Sequence, residues 1–135
     1  MVVEVTQDEG KFNNNKEQGM TTKRMCWWGK IREDKIEEYK ESHREIWPEL
    51  LEIYRNNGIR KISCFLRGND LLVYSECDET VYFNGGKEAI GRSDSSQRWD
   101  AWMREFALPG FESVEFVEVF HMPPSEPATR LGVGQ

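Results

Sequence analysis

The chain has little that would staple it together. It holds three cysteines, Cys26, Cys64 and Cys77, which cannot all pair, and none of them sits in a C-x-x-C spacing. Only His43 and His121 could join them at a metal, so neither a disulfide scaffold nor a metal site is expected, zinc included. No apolar run approaches the ~20 residues that cross a bilayer, and no membrane association is expected. The first 23 residues are mostly polar and do not read as a secretory signal. Lysine and arginine are also in deficit. Against 24 Asp and Glu there are 18 Lys and Arg, and the net charge of −6 has the wrong sign for a nucleic-acid partner. G-x-S-x-G, H-E-x-x-H and a glycine-rich phosphate loop are all missing. Triad hydrolase, zincin and nucleotide-binding readings therefore have no support. The expected compartment is a reducing cytoplasm.

What is abundant is aromatic surface: five Trp, seven Phe and four Tyr in 135 residues. That length suits one packed domain, which buries roughly two-thirds of its unfolded surface. Residues 1–22 carry too little apolar surface to fold and read as a disordered leader. Residues 123–135 hold three Pro and two Gly and read as a flexible tail. The domain is expected over residues 23–122.

Within it, Lys23–Ile31 reads as a strand, with Met25, Trp27 and Ile31 on one face and Cys26 and Trp28 on the other. Asp34 and Glu37 form a capping-box-like start. After them Ile36, Tyr39, His43, Ile46, Trp47, Leu50, Ile53 and Tyr54 recur at helical steps, and Gly58 makes a good stop. Pro48 cannot donate to the Arg44 carbonyl, so a kink or break is expected just after His43. Ile59–Arg67 and Leu71–Cys77 read as strands joined at Gly68-Asn69-Asp70. A helical region follows Glu79 and is weakened at Gly85-Gly86. A firmer helix begins at Ser95 with the stripe Trp99, Trp102, Met103 and Phe106, and Pro109-Gly110 stops it. Val114–Met122 reads as a last strand, with Val117, Val119 and His121 on one face. The order is that of a split βαβ unit, an α+β ferredoxin-like sandwich. Its helices cover one face of the sheet. The other face would expose large aromatics, so two copies are expected to pack face to face as a homodimer, a dimeric α+β barrel.

The chemistry-bearing residues are few. His43 shares a helix face with Tyr39 and Trp47, four residues to either side. It is either an ordinary hydrogen-bonded helix histidine or a general acid/base flanked by a phenol and an indole wall. His121 reads as a surface or structural ring. Trp99, Trp102 and Phe106 read as core, though a Trp facing a cleft could stack on a sugar. Asp100 reads as solvated; turned inward, it could accept two hydrogen bonds from vicinal hydroxyls. Glu37, Glu38, Glu41 and Glu45 read as a solvated face paired with Lys35 and Lys40.

The stretch Tyr39-Lys40-Glu41-Ser42-His43-Arg44-Glu45-Ile46-Trp47-Pro48-Glu49-Leu50 resembles the Y-x3-H-x2-IWPEL signature of the L-rhamnose mutarotase family. Asn57-Gly58, Asn69-Asp70-Leu71-Leu72, Gln97-Arg98-Trp99 and Glu118-Val119-Phe120 follow in the family's order, and the resemblance covers about residues 24–123. It implies a dimeric ferredoxin-like fold and interconversion of the α and β anomers of a free L-sugar without a cofactor. It implies that His43 is the proton donor and that Tyr39 and Trp99 contact the sugar. Two positions depart from the pattern. Ile62 stands where members acting on L-rhamnose tend to carry Tyr, and Asp100 where they carry a second Trp. The substrate, L-rhamnose or another 6-deoxy sugar such as L-fucose, stays open on that account, and Asp100 becomes a candidate sugar ligand. The alternatives are a non-catalytic sugar- or partner-binding protein, and a haem-degrading or isomerase-type enzyme of the same fold.

Overall fold

A computed structural model describes residues 21–125 of the chain. Most of the expected leader, and the tail beyond residue 125, lie outside the described residues. Four antiparallel strands form one sheet in the order β2-β3-β1-β4. They are β1 (Thr22–Lys30), β2 (Ile59–Arg67), β3 (Asp70–Asp78) and β4 (Val114–Phe116). β1 pairs with β3 along its whole length, from Thr22↔Asp78 to Lys30↔Asp70. The β2–β3 hairpin closes at Gly68-Asn69, where Gly68 takes a φ of +58° that a side chain would strain. This is the expected ferredoxin-like α+β topology.

The helices are α1 (Ile36–Arg44), α2 (Pro48–Asn56), α3 (Glu79–Val81), α4 (Lys87–Arg92) and α5 (Asp94–Phe106). The expected capping box does not form. The chain leaving β1 first makes a 3-10 turn, Glu33–Lys35, which puts Asp34 inside the turn instead of ahead of it. Asp34 meets Arg32 at 3.7 Å, and α1 starts without a side-chain cap. The break at Pro48 is as expected. α1 ends at Arg44 and Pro48 opens α2, a position where its missing N–H would have had no partner. Trp47, in the extended link between them, therefore leaves the face of α1 that spacing assigned to it. Further on, α3 is capped by Asp78, whose carboxylate accepts from the amides of Thr80 and Val81. The Gly85-Gly86 weakness is real. Residues Tyr82–Gly86 form a widened turn, with Gly85 at a φ of +107°. A Cβ on Gly86 would lie 2.3 Å from the carbonyl oxygen of Asn57.

The last strand is shorter than expected. Ladder pairing with β1 stops at Cys26↔Phe116, and residues 117–125 carry no strand. Val117, Val119, Phe120 and Met122 are exposed, Val119 by 92%. A bidentate ion pair from Arg24 to Glu118, 2.7 Å at its shorter contact, ties this arm back to β1. His121 rides on the arm, outside any strand, 3.9 Å from Glu118.

Register sorts the side chains of the sheet into two faces. Met25, Trp27 and Gly29 share one with Ser75, Val73 and Leu71, and with Ile62, Cys64 and Leu66. This face meets the helices. Leu71 joins Ile31, Tyr39 and Phe106 in the core, with Leu66, Val73, Trp102 and Met103 packed around them. Arg24, Cys26, Trp28, Leu72, Tyr74, Phe65, Val114 and Phe116 lie on the other face, where no helix packs among the described residues.

Candidate active site

The helical layer does not close evenly over the sheet. At the Leu71 end the core is sealed, but Ile62 and Trp27, on the same helix-facing side, are 42% and 38% exposed. The sequence-predicted residues gather where α1 meets α5. Helical spacing on α1 sets the His43 ring over Tyr39, with ring centroids 4.2 Å apart. α5 brings Trp99 edge-on to His43 at 5.2 Å. Tyr39 and Trp99 are both buried and His43 is half-buried. Tyr39 packs edge-on to Phe106 at 6.0 Å, so the phenol is part of the core as well as a neighbour of the imidazole.

Trp47 stands behind this group. It is edge-on to Trp99 at 5.1 Å, and its ring planes run within 7° of those of Trp102 at 5.9 Å. The Arg98 guanidinium sits 4.9 Å over it. Trp47 thus buttresses Trp99 instead of standing beside His43. The core reading of Trp99, Trp102 and Phe106 holds, and Trp99 serves the His43 cluster as well.

The imidazole is tied at one nitrogen. Its Nδ1 lies 3.0 Å from the Tyr39 carbonyl oxygen and 3.0 Å from the Ser42 hydroxyl. Among the described residues no hydrogen-bond partner meets Nε2. Burial lowers the ring's affinity for a proton below the ordinary imidazole value, and the hydrogen bond to the Tyr39 carbonyl partly offsets this. Burial also pushes the Tyr39 phenol well up, helped by the neighbouring Cys64 thiol. At neutral pH Tyr39 is therefore a hydrogen-bond donor and not a phenolate. Desolvation raises the Cys64 thiol in turn, and the hydrogen bond with Tyr39 partly offsets this.

Asp100, one residue beyond Trp99, is exposed as a residue, yet desolvation raises its carboxyl against the pull of Arg104. The Tyr54 phenol, pushed up to about 12 mainly by burial, also feels this carboxylate. Asp100 is thus neither fully solvated nor turned wholly inward. Spacing on single helices could find Tyr39, His43 and Trp99. It could not find Ser42, Cys64, Tyr54 or Trp27. Strand alternation did place Trp27 opposite Cys26, but which face carries the helices shows only in the packing. Among the described residues no three His, Cys, Asp or Glu side chains converge as metal ligands would.

The sequence profile of the L-rhamnose mutarotase family matches residues 24–122. The chain belongs to that family. The L-rhamnose mutarotase of Clostridium beijerinckii is 30% identical over 99 residues, which cover 69% of this chain and 91% of that protein. That of Pectobacterium atrosepticum is 38% identical over 68 residues, covering 49% of this chain and 62% of that protein, which is less than two-thirds of its length. The crystal structure of the Formosa agariphila L-rhamnose mutarotase superposes with a TM-score of 0.59 at 22% identity, covering 75% of this chain and 99% of that one. A Nitrosomonas europaea protein described as a putative antibiotic biosynthesis monooxygenase superposes with a TM-score of 0.53 at 12% identity, so it shares the fold alone. In this mutarotase-family chain the Tyr39 and His43 of the signature and Trp99, 56 residues after His43, form one continuous contact.

Proposed function

We propose that the protein is a mutarotase that interconverts the α and β anomers of a free L-sugar, with His43 as its general acid/base. The observation that carries this reading is the one-sided tethering of His43. Nδ1 is held by the protein, and among the described residues Nε2 meets no hydrogen-bond partner. Mutarotation needs a proton delivered to the ring oxygen and another taken from the anomeric hydroxyl. The C1–O5 bond then breaks, the carbonyl turns, and the ring closes on its other face. A buried imidazolium gives up its proton more readily than a solvated one, so it suits the first task. The neutral ring, which dominates at neutral pH, takes the proton back on closure. Tyr39 and Trp99 supply a donor and an apolar wall for the sugar. Asp100, with its raised carboxyl, serves as a hydroxyl ligand, and the second acid/base group is Asp100, a water held by Tyr39 or a residue of the other subunit.

The substrate is L-rhamnose or a related 6-deoxy sugar such as L-fucose. The family supports the first. Ile62 and Asp100, the two departures from the family pattern, favour a change in which hydroxyls are satisfied, and an unpaired buried polar group discriminates strongly between such sugars. The working unit is a homodimer in the cytoplasm. Phe65, Val114 and Phe116 are exposed together on the helix-free face, beside the apolar arm from Val117 to Met122. A second copy of the same face is the partner that covers them. A protein from an uncultured marine organism with this fold, described as a dimeric ferredoxin-like protein, superposes with a TM-score of 0.53 at 13% identity.

Saturation-transfer NMR between anomers tests the reading over L-rhamnose, L-fucose, L-lyxose and D-sugars. The protein should speed exchange for at least one L-sugar. His43→Asn should lower that rate by about 10²–10⁴-fold, the usual worth of a positioned acid/base. Exchange that survives His43→Asn removes His43 from the mechanism. Tight sugar binding without exchange makes the protein a binder and not an enzyme.

A further inference from the structure

The ring contacts around His43 continue outward through Trp99. This indole meets the imidazole at 5.2 Å and Trp47 at 5.1 Å, while Trp47 makes no ring contact with His43 among the described residues. Trp47 belongs to the link between α1 and α2. Its carbonyl accepts the Leu50 amide at 3.1 Å, so the first turn of α2 fixes the root of its side chain. The Trp47 ring lies within 7° of parallel to that of Trp102, and both stand nearly perpendicular to Trp99, at 84° and 89°. The Arg98 guanidinium covers Trp47 at 4.9 Å. It is itself held from two helices, by Asp94 of α5 at 2.8 Å and by Glu49 of α2 at 3.4 Å.

Trp102 lies three residues from Trp99 on the same helix and moves with it. Trp47 is different. It comes three residues after α1 ends, so its contact with Trp99 joins the His43 end of α1 to α5. An indole touched only by the imidazole can still rock about its two side-chain torsions. An edge-on neighbour rooted on a separate segment removes that freedom, and a cation over the neighbour's ring holds the neighbour in turn. We propose that Trp47 and Arg98 are positioning residues: Arg98 clamps Trp47, and Trp47 sets the Trp99 wall against His43 and so the fit of the sugar. The inference rests on His43 and Trp99 forming the site of the proposed reaction. A wall that is in place for only part of the time weakens apparent sugar affinity by that fraction. Proton transfer in the filled site is affected less.

The test uses the full-length protein in a His121→Gln background, which leaves one histidine ring to read by NMR. The His43 ring-proton resonances report where the Trp99 indole stands, because an aromatic ring at 5.2 Å shifts them. Trp47→Leu should move these resonances. Anomer exchange, followed against the concentration of L-rhamnose or L-fucose, whichever the wild type exchanges faster, should then need about fivefold more sugar for half-saturation, the worth of one edge-to-face pair. The saturated rate should change less. Trp47→Phe, which keeps an aromatic ring, should recover most of both readouts. Arg98→Met, of similar length at an exposed position, should act in the same direction by about threefold, the worth of an exposed cation–π contact. Unmoved His43 resonances in a folded Trp47→Leu overturn the proposal, as do moved resonances with an unchanged half-saturation. If Trp47→Leu does not fold by circular dichroism, Arg98→Met decides by the same two readouts. A wild-type protein that exchanges no sugar sinks the mutarotase reading, while the ring resonances, read without sugar, still judge the clamp.

Discussion

The two faces of the sheet are built from alternate residues of the same strands, yet their surroundings differ completely. Leu71 is 5% exposed beneath the helices, while Phe65, on the neighbouring strand and the opposite face, is 58% exposed. Both are large and apolar. What separates them is the covering layer, which the described residues supply for one face only. The helix-facing side therefore contains both a sealed core and the half-buried His43 between Tyr39 and Trp99. The helix-free side holds apolar area that no helix covers among the described residues.

The strongest break of that contrast is a charge on the bare face. Phe65→Asp should abolish self-association in sedimentation velocity, because the proposed sheet-to-sheet contact would bury an unpaired carboxylate. The secondary structure of the released subunit should be intact by circular dichroism, since Phe65 contributes little to the core of its own chain. A dimer that survives this change places the interface elsewhere. The matching change on the covered face acts the other way. Leu71→Ala should cost about 2–5 kcal/mol by leaving a cavity against Tyr39 and Phe106, seen as a lowered urea midpoint with the slope unchanged. Self-association of the folded fraction should persist. A loss well under 1 kcal/mol would mean that the site collapses to fill the void.

The same contrast explains what could be read from the sequence. Elements governed by local chemistry were legible. Pro48 broke the long helical pattern where its missing N–H demanded, Gly68 closed the hairpin, and the spacing of Tyr39 and His43 placed them in contact. Elements that depend on a partner segment were not. Asp34 matched a helix cap by spacing, but the exit from β1 bent into a 3-10 turn before the helix began. The alternation of Val117, Val119 and His121 fits a strand, yet a strand also needs a ladder partner, and pairing ends at Phe116. Trp47 kept helical spacing through a link that is not helical. Within the site, Tyr39 and His43 share one turn of α1 and were visible. Cys64 and Tyr54 join them across tertiary space, which no single-element periodicity reports.

The smallest effect tests the candidate site itself. Burial there shifts His43 and Asp100 in opposite directions, and the two shifts have opposite consequences for stability. For His43 the folded value lies below the unfolded 6.5. As pH falls under 6.5 the unfolded chain binds a proton that the folded ring resists, so stability is lost over the window from 6.5 down to the folded value. For Asp100 the folded value lies above the unfolded 3.8. Its contribution is complete below 3.8 and is lost as pH rises through the folded value. Urea midpoints should therefore fall less on acidification from pH 7 in His43→Asn than in the wild type. Asp100→Asn should remove a gain that appears only at more acid pH. The His43 ring should titrate below 6.5 by NMR. A His43 midpoint at or above 6.5 would show the ring to be solvated or charge-paired, and the candidate site would then be ordinary surface.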